Sequence, residues 1–240
     1  AVARPYAALM EWGDGGIRRY QAMLSDVRRA AEQRWKEGCC RGVLEDSHAE
    51  SKPADASGAG DVPVAAALVM NCNPFTRGHR YLVEQACSMA DIVYLIVVEE
   101  DRSMFSSQVR LRLVREGTAH LPNVRVHPSG HYMISSATFP TYFIKEKSQR
   151  ALAHIELDLN IFAHHLAPAL GATVRFVGTE PTDELTAAYN AAMHRLLPPA
   201  GIEVVEIARQ GADGSPERPI SASALRQALA QGQTSRALLL

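Results

Sequence analysis

The sequence has little of several features that would place it in a special class of protein. Its four cysteines among 240 residues form no Cys-x-x-Cys pair and no Cys/His metal spacing. This argues against a disulfide scaffold or a structural zinc site and favours a reducing, cytoplasmic environment. The net charge is only −1, so we expect no global attraction to nucleic acid or to an anionic membrane. No apolar run approaches the roughly 20 residues of a membrane helix, and the first residues do not resemble a signal peptide.

Composition divides the chain into two regions. Residues 46–61 are rich in Ser, Ala, Gly, Asp and Pro, which is typical of a flexible linker, with an ordered surface loop as the alternative. Before them, apolar side chains such as Ile17, Leu24 and Val27 recur at helical spacing and predict one long helix or a helix pair within residues 1–38. We therefore divide the chain into a helical segment with its linker, residues 1–61, and a catalytic domain, residues 62–240.

From residue 62 onward, apolar runs alternate with amphipathic stretches. Runs rich in Val, Ile and Leu predict buried parallel strands at Val64–Met70, Ile92–Val98, Val124–His127, Thr173–Val177 and Glu203–Ile207. The predicted helices are His79–Ala90, Ser107–Ala119, Ser148–Leu170, Asp183–Leu197 and Ser221–Gln231. The alternation predicts a Rossmann-like, doubly wound parallel α/β sheet with an N-terminal helical appendage. Because ligands bind at the carboxyl ends of such strands, we expect the loops after the first, fourth and fifth strands to share one edge.

The loop after the first strand carries Thr76, Gly78 and His79 directly before an amphipathic helix. The first N–H groups of a helix lack intrahelical partners, and the helix dipole leaves partial positive charge there, so this position favours anions. Gly78 lets the backbone approach a ligand. Thr76 offers a hydroxyl to a phosphate oxygen, and His79 offers a donor to charge that develops on a phosphate. The alternative is structural: His79 caps the helix and Thr76 closes a turn.

A second candidate anion site lies in Pro219–Arg226, PISASALR in one-letter code. Ser221 is a natural N-cap, Ser223 falls in the first turn, and Arg226 can bend back to the helix start only if its side chain extends. The alternative is an ordinary capped helix with a surface arginine. Two such sites at one sheet edge would suit a triphosphate, with a divalent metal bound mainly through phosphates and water. Catalysis would then depend on in-line positioning and on cations, without a protein nucleophile.

Together the T-x-G-H and I-S-x-S-x-x-R motifs resemble those of the nucleotidyltransferase superfamily, whose signature is HxGH. Longer stretches resemble the citrate lyase ligase (acetate:citrate-lyase ligase) family within it. These stretches are Met70–Ala86, Ile134–Lys145, Phe176–Pro181 and Pro219–Arg226. The resemblance implies a fold of the HxGH nucleotidyltransferase type. Full-length members carry an acyltransferase-like domain before it, so residues 1–38 are expected to be a remnant of that junction.

The resemblance implies an ATP-dependent ligase that makes acetyl-adenylate from acetate and ATP and releases pyrophosphate. The acetyl group then passes to the thiol of the prosthetic group on the acyl-carrier subunit of citrate lyase. The implied substrates are ATP, with Mg²⁺ held mainly through its phosphates, and acetate. The implied partner is the acyl-carrier subunit. Because acetate is already ionised at neutral pH, the first step needs no general base.

The resemblance also assigns residues. Catalytic roles fall to His79, Thr76 and Lys145, with Lys145 meeting the acetate carboxylate or a phosphate. The implied ATP-binding residues are Asn73, Phe75, Thr76, Gly78, His79, Arg110, Gly178, Thr179, Glu180, Ile220, Ser221, Ser223 and Arg226. No side chain is assigned to a metal. Structural alternatives stay open for Lys145 and Arg110 as solvated side chains and for Gly178–Glu180 as a strand-to-helix turn.

Two other functions remain open from the sequence. An adenylyl- or cytidylyltransferase acting on a phosphorylated small molecule would share the phosphate sites but would need cations for the acceptor phosphate. The stretch Ile134–Lys145 is apolar and aromatic with one lysine, which favours a small carboxylate acceptor instead. A non-catalytic nucleotide-binding remnant would bind ATP without turning it over.

Overall fold

The computed structural model describes residues 2–4, 7–11, 15–38, 62–99, 104–135, 139, 149–209 and 222–233. The strands within these residues are β1 (Val2–Arg4), β2 (Ala7–Leu9), β3 (Ala65–Met70), β4 (Ile92–Val97), β5 (Val124–Pro128), β6 (Val174–Gly178) and β7 (Glu203–Ile207). The α-helices are α1 (Gly16–Lys36), α2 (Arg77–Met89), α3 (Ser107–Gly117), α4 (Gln149–Ile161), α5 (Ala167–Leu170), α6 (Glu184–Leu196) and α7 (Ala222–Ala230).

Five strands form one parallel sheet in the order β5-β4-β3-β6-β7. The parallel sheet therefore begins at its middle strand, β3, and is extended outward to β5. The chain then returns to the other side of β3 and extends the sheet outward to β7. This is the doubly wound, Rossmann-like order, with its topological switch between β3 and β6. The predicted fold class is confirmed, and the ends of the predicted strands lie within two residues of those in the structure.

The central strands β3 and β4 are buried on both faces of the sheet, which is why they are continuously apolar. The edge strands β5 and β7 carry charged side chains and are only partly buried, unlike the fully buried strands predicted there. In β3, Ala65 and Ala67 pack on the face covered by α1, α4 and α6. Their neighbours Ala66 and Leu68 pack on the opposite face with side chains of α2 and α3. Full burial of a large aliphatic side chain such as Leu68 contributes about 1.5–3 kcal/mol. These two layers hold the carboxyl ends of the strands in fixed register.

Among the described residues before the parallel sheet there is one helix, α1, which packs into the core through fully buried Leu24 and Ala31. The predicted helical segment is thus present over residues 16–36, but β1 and β2 form an antiparallel hairpin before it. Sequence periodicity missed the hairpin because three-residue strands are too short to show alternation. The linker predicted at residues 46–61 lies outside the described residues.

The helical stretch predicted at Ser148–Leu170 is interrupted by one π-helical turn, Phe162–Leu166, between α4 and α5. Pro168 is the second residue after that turn. A proline lacks the N–H for a bond to the carbonyl four residues earlier, and its ring clashes with that carbonyl, so the helix adjusts locally. None of the helices in the described part of the chain is both long and apolar enough to cross a membrane.

Candidate active site

A cavity of about 380 Å³ opens where β3, β6 and β7 end. This volume is within the usual range for small-molecule sites, and the position is the topological switch at which ligands bind in doubly wound sheets. The cavity is lined by the loops that follow the three strands and by the first residues of α7. The predicted site residues among its lining are Asn73, Thr76, Gly78, His79, Gly178, Glu180, Ser223 and Arg226. The structure therefore brings His79 and Arg226, 147 positions apart in the chain, to one cavity.

Helix α2 begins at this cavity with a reciprocal cap. Thr76 is the N-cap, and its hydroxyl oxygen accepts a hydrogen bond from the backbone N–H of His79 at 3.4 Å. In return, the backbone N–H of Thr76 donates to Nδ1 of His79 at 3.1 Å. The histidine thus fills the place that glutamate or glutamine takes in an ordinary capping box. His79 therefore does take part in capping the helix, the structural alternative considered from the sequence. This role occupies only one of its two ring nitrogens.

The cap determines how His79 meets a ligand. Because Nδ1 accepts the Thr76 N–H, the neutral imidazole carries its proton on Nε2. Burial, and after it the positive charge of Arg209, lower the pKa of His79 to about 4. The ring also stacks against Phe75, with ring centroids 5.9 Å apart. At neutral pH, His79 of the unliganded protein is therefore an oriented, uncharged Nε2–H donor.

Phe75 and Arg110 support the site from outside the cavity lining. A Cβ on Gly117 would lie 2.5 Å from the Phe75 ring, so α3 approaches this ring closely only because Gly117 has no side chain. Arg110 is fully buried and donates from Nη1 to the carbonyls of Asn71 and Val98, each at 2.6 Å. The guanidinium thus links the ends of β3 and β4. The assignment of Phe75 and Arg110 to ATP binding stays a prediction.

Helix α7 brings the second predicted anion site to the same cavity. Arg226 bends back toward the helix start, where its Nη2 donates to the Ser223 hydroxyl at 2.8 Å. Its Nη1 donates to the backbone carbonyl of Asn73 in the loop after β3. This contact joins the two motifs. The other predicted residues of this region, Ile220 and Ser221, and the predicted catalytic Lys145 lie outside the described residues.

The loop after β6 uses its polar groups internally. The side chain of Glu180 is 7% exposed, and its carboxylate accepts from the N–H groups of Thr182 and Asp183, both at 3.1 Å. Its other oxygen pairs with Arg209. The hydroxyl of Thr179, which is outside the cavity lining, accepts from the backbone N–H of Arg209 at 3.2 Å.

Sequence reasoning missed Arg209, although it lines the cavity. The available signal was its place two residues after β7, at the edge where site residues were expected. Among the described residues, no group of three His, Cys, Asp or Glu side chains could hold a metal ion. The carboxylates of the lining, Glu180 and Asp183, both accept protein N–H groups.

A second cavity, of about 370 Å³, lies at the edge strand β5 and is basic. Its lining includes Arg34, Arg115, Arg125 and His127. Arg34 and Arg115 lie in the last turns of α1 and α3, where cations offset the negative end of the helix dipole. Charged side chains on an edge strand also discourage pairing with another strand. Because these charges have structural explanations, we place the candidate active site at the switch between β3 and β6.

The protein-family model described as citrate lyase ligase C-terminal domain matches residues 65–239 of the chain. The chain belongs to the citrate lyase ligase family. The resemblance identified from the motifs is thereby confirmed.

Three curated relatives of the chain are named citrate (pro-3S)-lyase ligase. The Escherichia coli K12 protein is 51% identical over 171 residues, which cover 68% of this chain and 47% of that protein. The Klebsiella pneumoniae protein is 49% identical over 165 residues, 67% of this chain and 47% of its own length. The Haemophilus influenzae protein is 44% identical over 169 residues, which cover 68% of this chain and 50% of that protein. The chain spans about half the length of these relatives.

Proposed function

We propose that this citrate lyase ligase domain activates acetate with ATP and transfers the acetyl group to a thiol on the acyl-carrier subunit of citrate lyase. The observation that carries the proposal is the single cavity that the starts of α2 and α7 share, with His79 and Arg226 in its lining. The names of the curated relatives, ligases of citrate (pro-3S)-lyase, support the choice of acceptor. Ligation of an acid to a thiol through an adenylate accounts for both the shared cavity and the acceptor named in the relatives.

In the first step, an acetate oxygen attacks the α-phosphorus of ATP. The bond from that phosphorus to the bridging oxygen of the β-phosphate breaks, and pyrophosphate leaves with the electron pair. The Nε2–H of His79 donates to a non-bridging oxygen of the α-phosphate, where negative charge increases in the transition state. Arg226 and Ser223 hold the departing phosphates. No protein nucleophile takes part, so the rate depends on alignment and electrostatics.

Mg²⁺ enters the proposal with the phosphates of ATP, to which it binds together with water. The described cavity offers no cluster of side chains that could hold it without the nucleotide. When bound, Mg²⁺ neutralises part of the phosphate charge. Lys145 is proposed to meet the acetate carboxylate or a phosphate.

In the second step, the sulfur of the carrier thiol attacks the acetyl carbonyl carbon of acetyl-adenylate. The carbon–oxygen bond to the phosphate breaks, AMP leaves, and the thiol proton goes to solvent. The products are a thioester on the acyl-carrier subunit and AMP. A thiolate is the reactive form, so this step should accelerate as pH rises toward the thiol pKa.

Acetate-dependent exchange of labelled pyrophosphate into ATP tests the first step. We expect exchange with acetate and none without it, followed by acetylation of purified acyl-carrier subunit in the same mixture. Exchange that requires a nucleoside monophosphate instead of acetate would reassign the protein as a nucleotidyltransferase. ATP binding without any exchange would identify a non-catalytic nucleotide-binding domain and overturn the proposal.

A further inference from the structure

Two guanidinium groups border the crevice between β3 and β6, and each is anchored to a different side of it. Arg226 is bonded to the loop after β3, through the carbonyl of Asn73. Arg209 is bonded to the loop after β6, through Thr179 and Glu180. Both arginines line the same cavity. An anion in the crevice would therefore meet a cation from each side.

The bonds of Glu180 show that its carboxylate positions Arg209. Three donors surround Oε1: the N–H and the hydroxyl of Thr182, at 3.1 and 2.9 Å, and the N–H of Asp183 at 3.1 Å. The remaining oxygen, Oε2, receives the Arg209 guanidinium. A carboxylate with four donors has little capacity left for the hydroxyl groups of a ribose. Glu180 is held rigidly by the turn before α6, and it holds Arg209 in turn.

Arg209 keeps part of its side chain open to the cavity. The guanidinium side chain is 36% exposed, whereas its partner Glu180 is 7% exposed. Its charge also reaches the other side of the crevice, where it disfavours the cationic form of His79. The guanidinium is thus close enough to act on the group that faces the α-phosphate in the proposed reaction.

We propose that Arg209 is a further phosphate-binding residue of this site and that Glu180 positions it rather than contacting the nucleotide. The proposal rests on the proposed function for the identity of the ligand as ATP. Arg209 supplies the cation on the β6 side, and Arg226 supplies the cation on the β3 side. Because the ion pair forms without ligand, the arginine is oriented before ATP arrives.

The test compares the affinities of ATP and adenosine, measured calorimetrically with Mg²⁺ and without acetate. Losing a charged contact to phosphate in Arg209→Gln should weaken ATP binding about tenfold and leave adenosine binding within about twofold. Arg209→Lys, which keeps the charge but loses the planar fork, should fall between wild type and Arg209→Gln. In ¹⁵N NMR titrations of the unliganded protein, the pKa of His79 should be higher in Arg209→Gln than in wild type.

Arg195→Gln is the matched control, because Arg195 also forms an ion pair with a glutamate, Glu156, but is 65% exposed and outside the cavity lining. It should change neither affinity. Glu180→Gln should leave adenosine affinity within about twofold, whereas a direct ribose contact would weaken adenosine and ATP alike. Equal losses of ATP and adenosine affinity in Arg209→Gln, or no loss, would overturn the proposal. Failure of the proposed function would appear separately, as no acetate-dependent exchange in the wild-type protein.

Discussion

The starts of α2 and α6 border the same crevice but are built from opposite charges. At α2, the capping groups are the hydroxyl of Thr76 and the neutral imidazole of His79, and the first turn has no acidic residue. At α6, Asp183 caps the helix, Glu184 lies in the first turn, and Glu180 accepts the N–H groups just before it. The positive end of α6 is thus already neutralised by the protein, whereas that of α2 is not.

This charge difference predicts which part of ATP lies on each side of the cavity. A triphosphate is repelled by carboxylates and attracted by helix N–H groups, so it should lie toward α2 and α7, with Arg226 on its β3 side and Arg209, whose charge covers that of Glu180, on its β6 side. The sugar and base, which are uncharged, can then lie toward α6, where the lining includes Leu82, Val177 and Thr186. The same parallel-sheet edge therefore separates the charged and the neutral parts of one ligand. Variants of the residues on the two sides test this separation, and their expected effects decrease from His79 to Arg226.

His79→Ala should lower the acetate-dependent exchange rate by about 100-fold or more, because a donor to the developing phosphate charge is lost. ATP affinity should change by less than about threefold, since the contact matters mainly in the transition state. Exchange kinetics and calorimetry measure the two quantities. His120→Ala, an exposed histidine outside the cavity lining, is the control. An equal loss of rate and affinity would mean that His79 binds ATP uniformly and does not act on the transition state.

Exchanging the type of cap should weaken ATP binding at α2 but not at α6. Thr76→Asp keeps a good N-cap, so the free energy of unfolding should stay within about 1 kcal/mol of wild type. The new carboxylate at the phosphate side should nevertheless weaken ATP binding about tenfold or more. Asp183→Ser, which also keeps a capping side chain, should leave ATP affinity within about twofold. If both variants weakened ATP binding equally, the charge difference between the two helix starts would have no functional meaning.

Arg226→Ala should weaken ATP binding about tenfold, because a guanidinium that contacts phosphate is removed. Its hydrogen bond to the carbonyl of Asn73 also ties α7 to the loop after β3, so part of the effect comes from looser positioning. Binding of adenosine provides the internal reference and should be nearly unchanged. An unaltered dissociation constant for ATP would remove Arg226 from the phosphate site.

The pKa of His79 predicts a pH dependence of stability in the unliganded protein. The folded-state pKa, about 4, is below the ordinary value near 6.5, so the unfolded chain binds the proton more readily. The stabilisation is fully present above about pH 6.5 and is lost as pH falls from there toward 4. Denaturant unfolding of wild type and His79→Gln between these pH values should show a shallower pH slope for the variant. Parallel slopes would contradict the low pKa.

The sequence predicted the fold well because its strongest signals are local. The central strands β3 and β4 are short apolar runs buried on two faces, and helices α2, α3 and α6 each begin at a capping side chain, Thr76, Ser106 and Asp183. The predicted placement of Thr76 and His79 at a helix start also followed from local pattern. Side-chain contacts between residues far apart in the chain were harder to predict from the sequence.

The contact between Arg209 and Glu180 shows what could not be predicted from the sequence. Their ion pair joins residues 29 positions apart, and neither lies in a pattern that indicates a partner. The double use of His79, as a cap through Nδ1 and as a cavity-lining donor through Nε2, was also hidden. The sequence presented capping and phosphate binding as alternatives, whereas the two ring nitrogens allow both.

The most direct test of the central claim is a crystal structure with a non-hydrolysable ATP analogue and Mg²⁺. The phosphates should lie at the start of α2, with one oxygen within hydrogen-bond distance of Nε2 of His79 and others near Arg226. The base should lie on the α6 side. Phosphates bound instead at the basic β5-edge cavity, against Arg34, Arg115 and Arg125, with the crevice between β3 and β6 empty, would contradict the account.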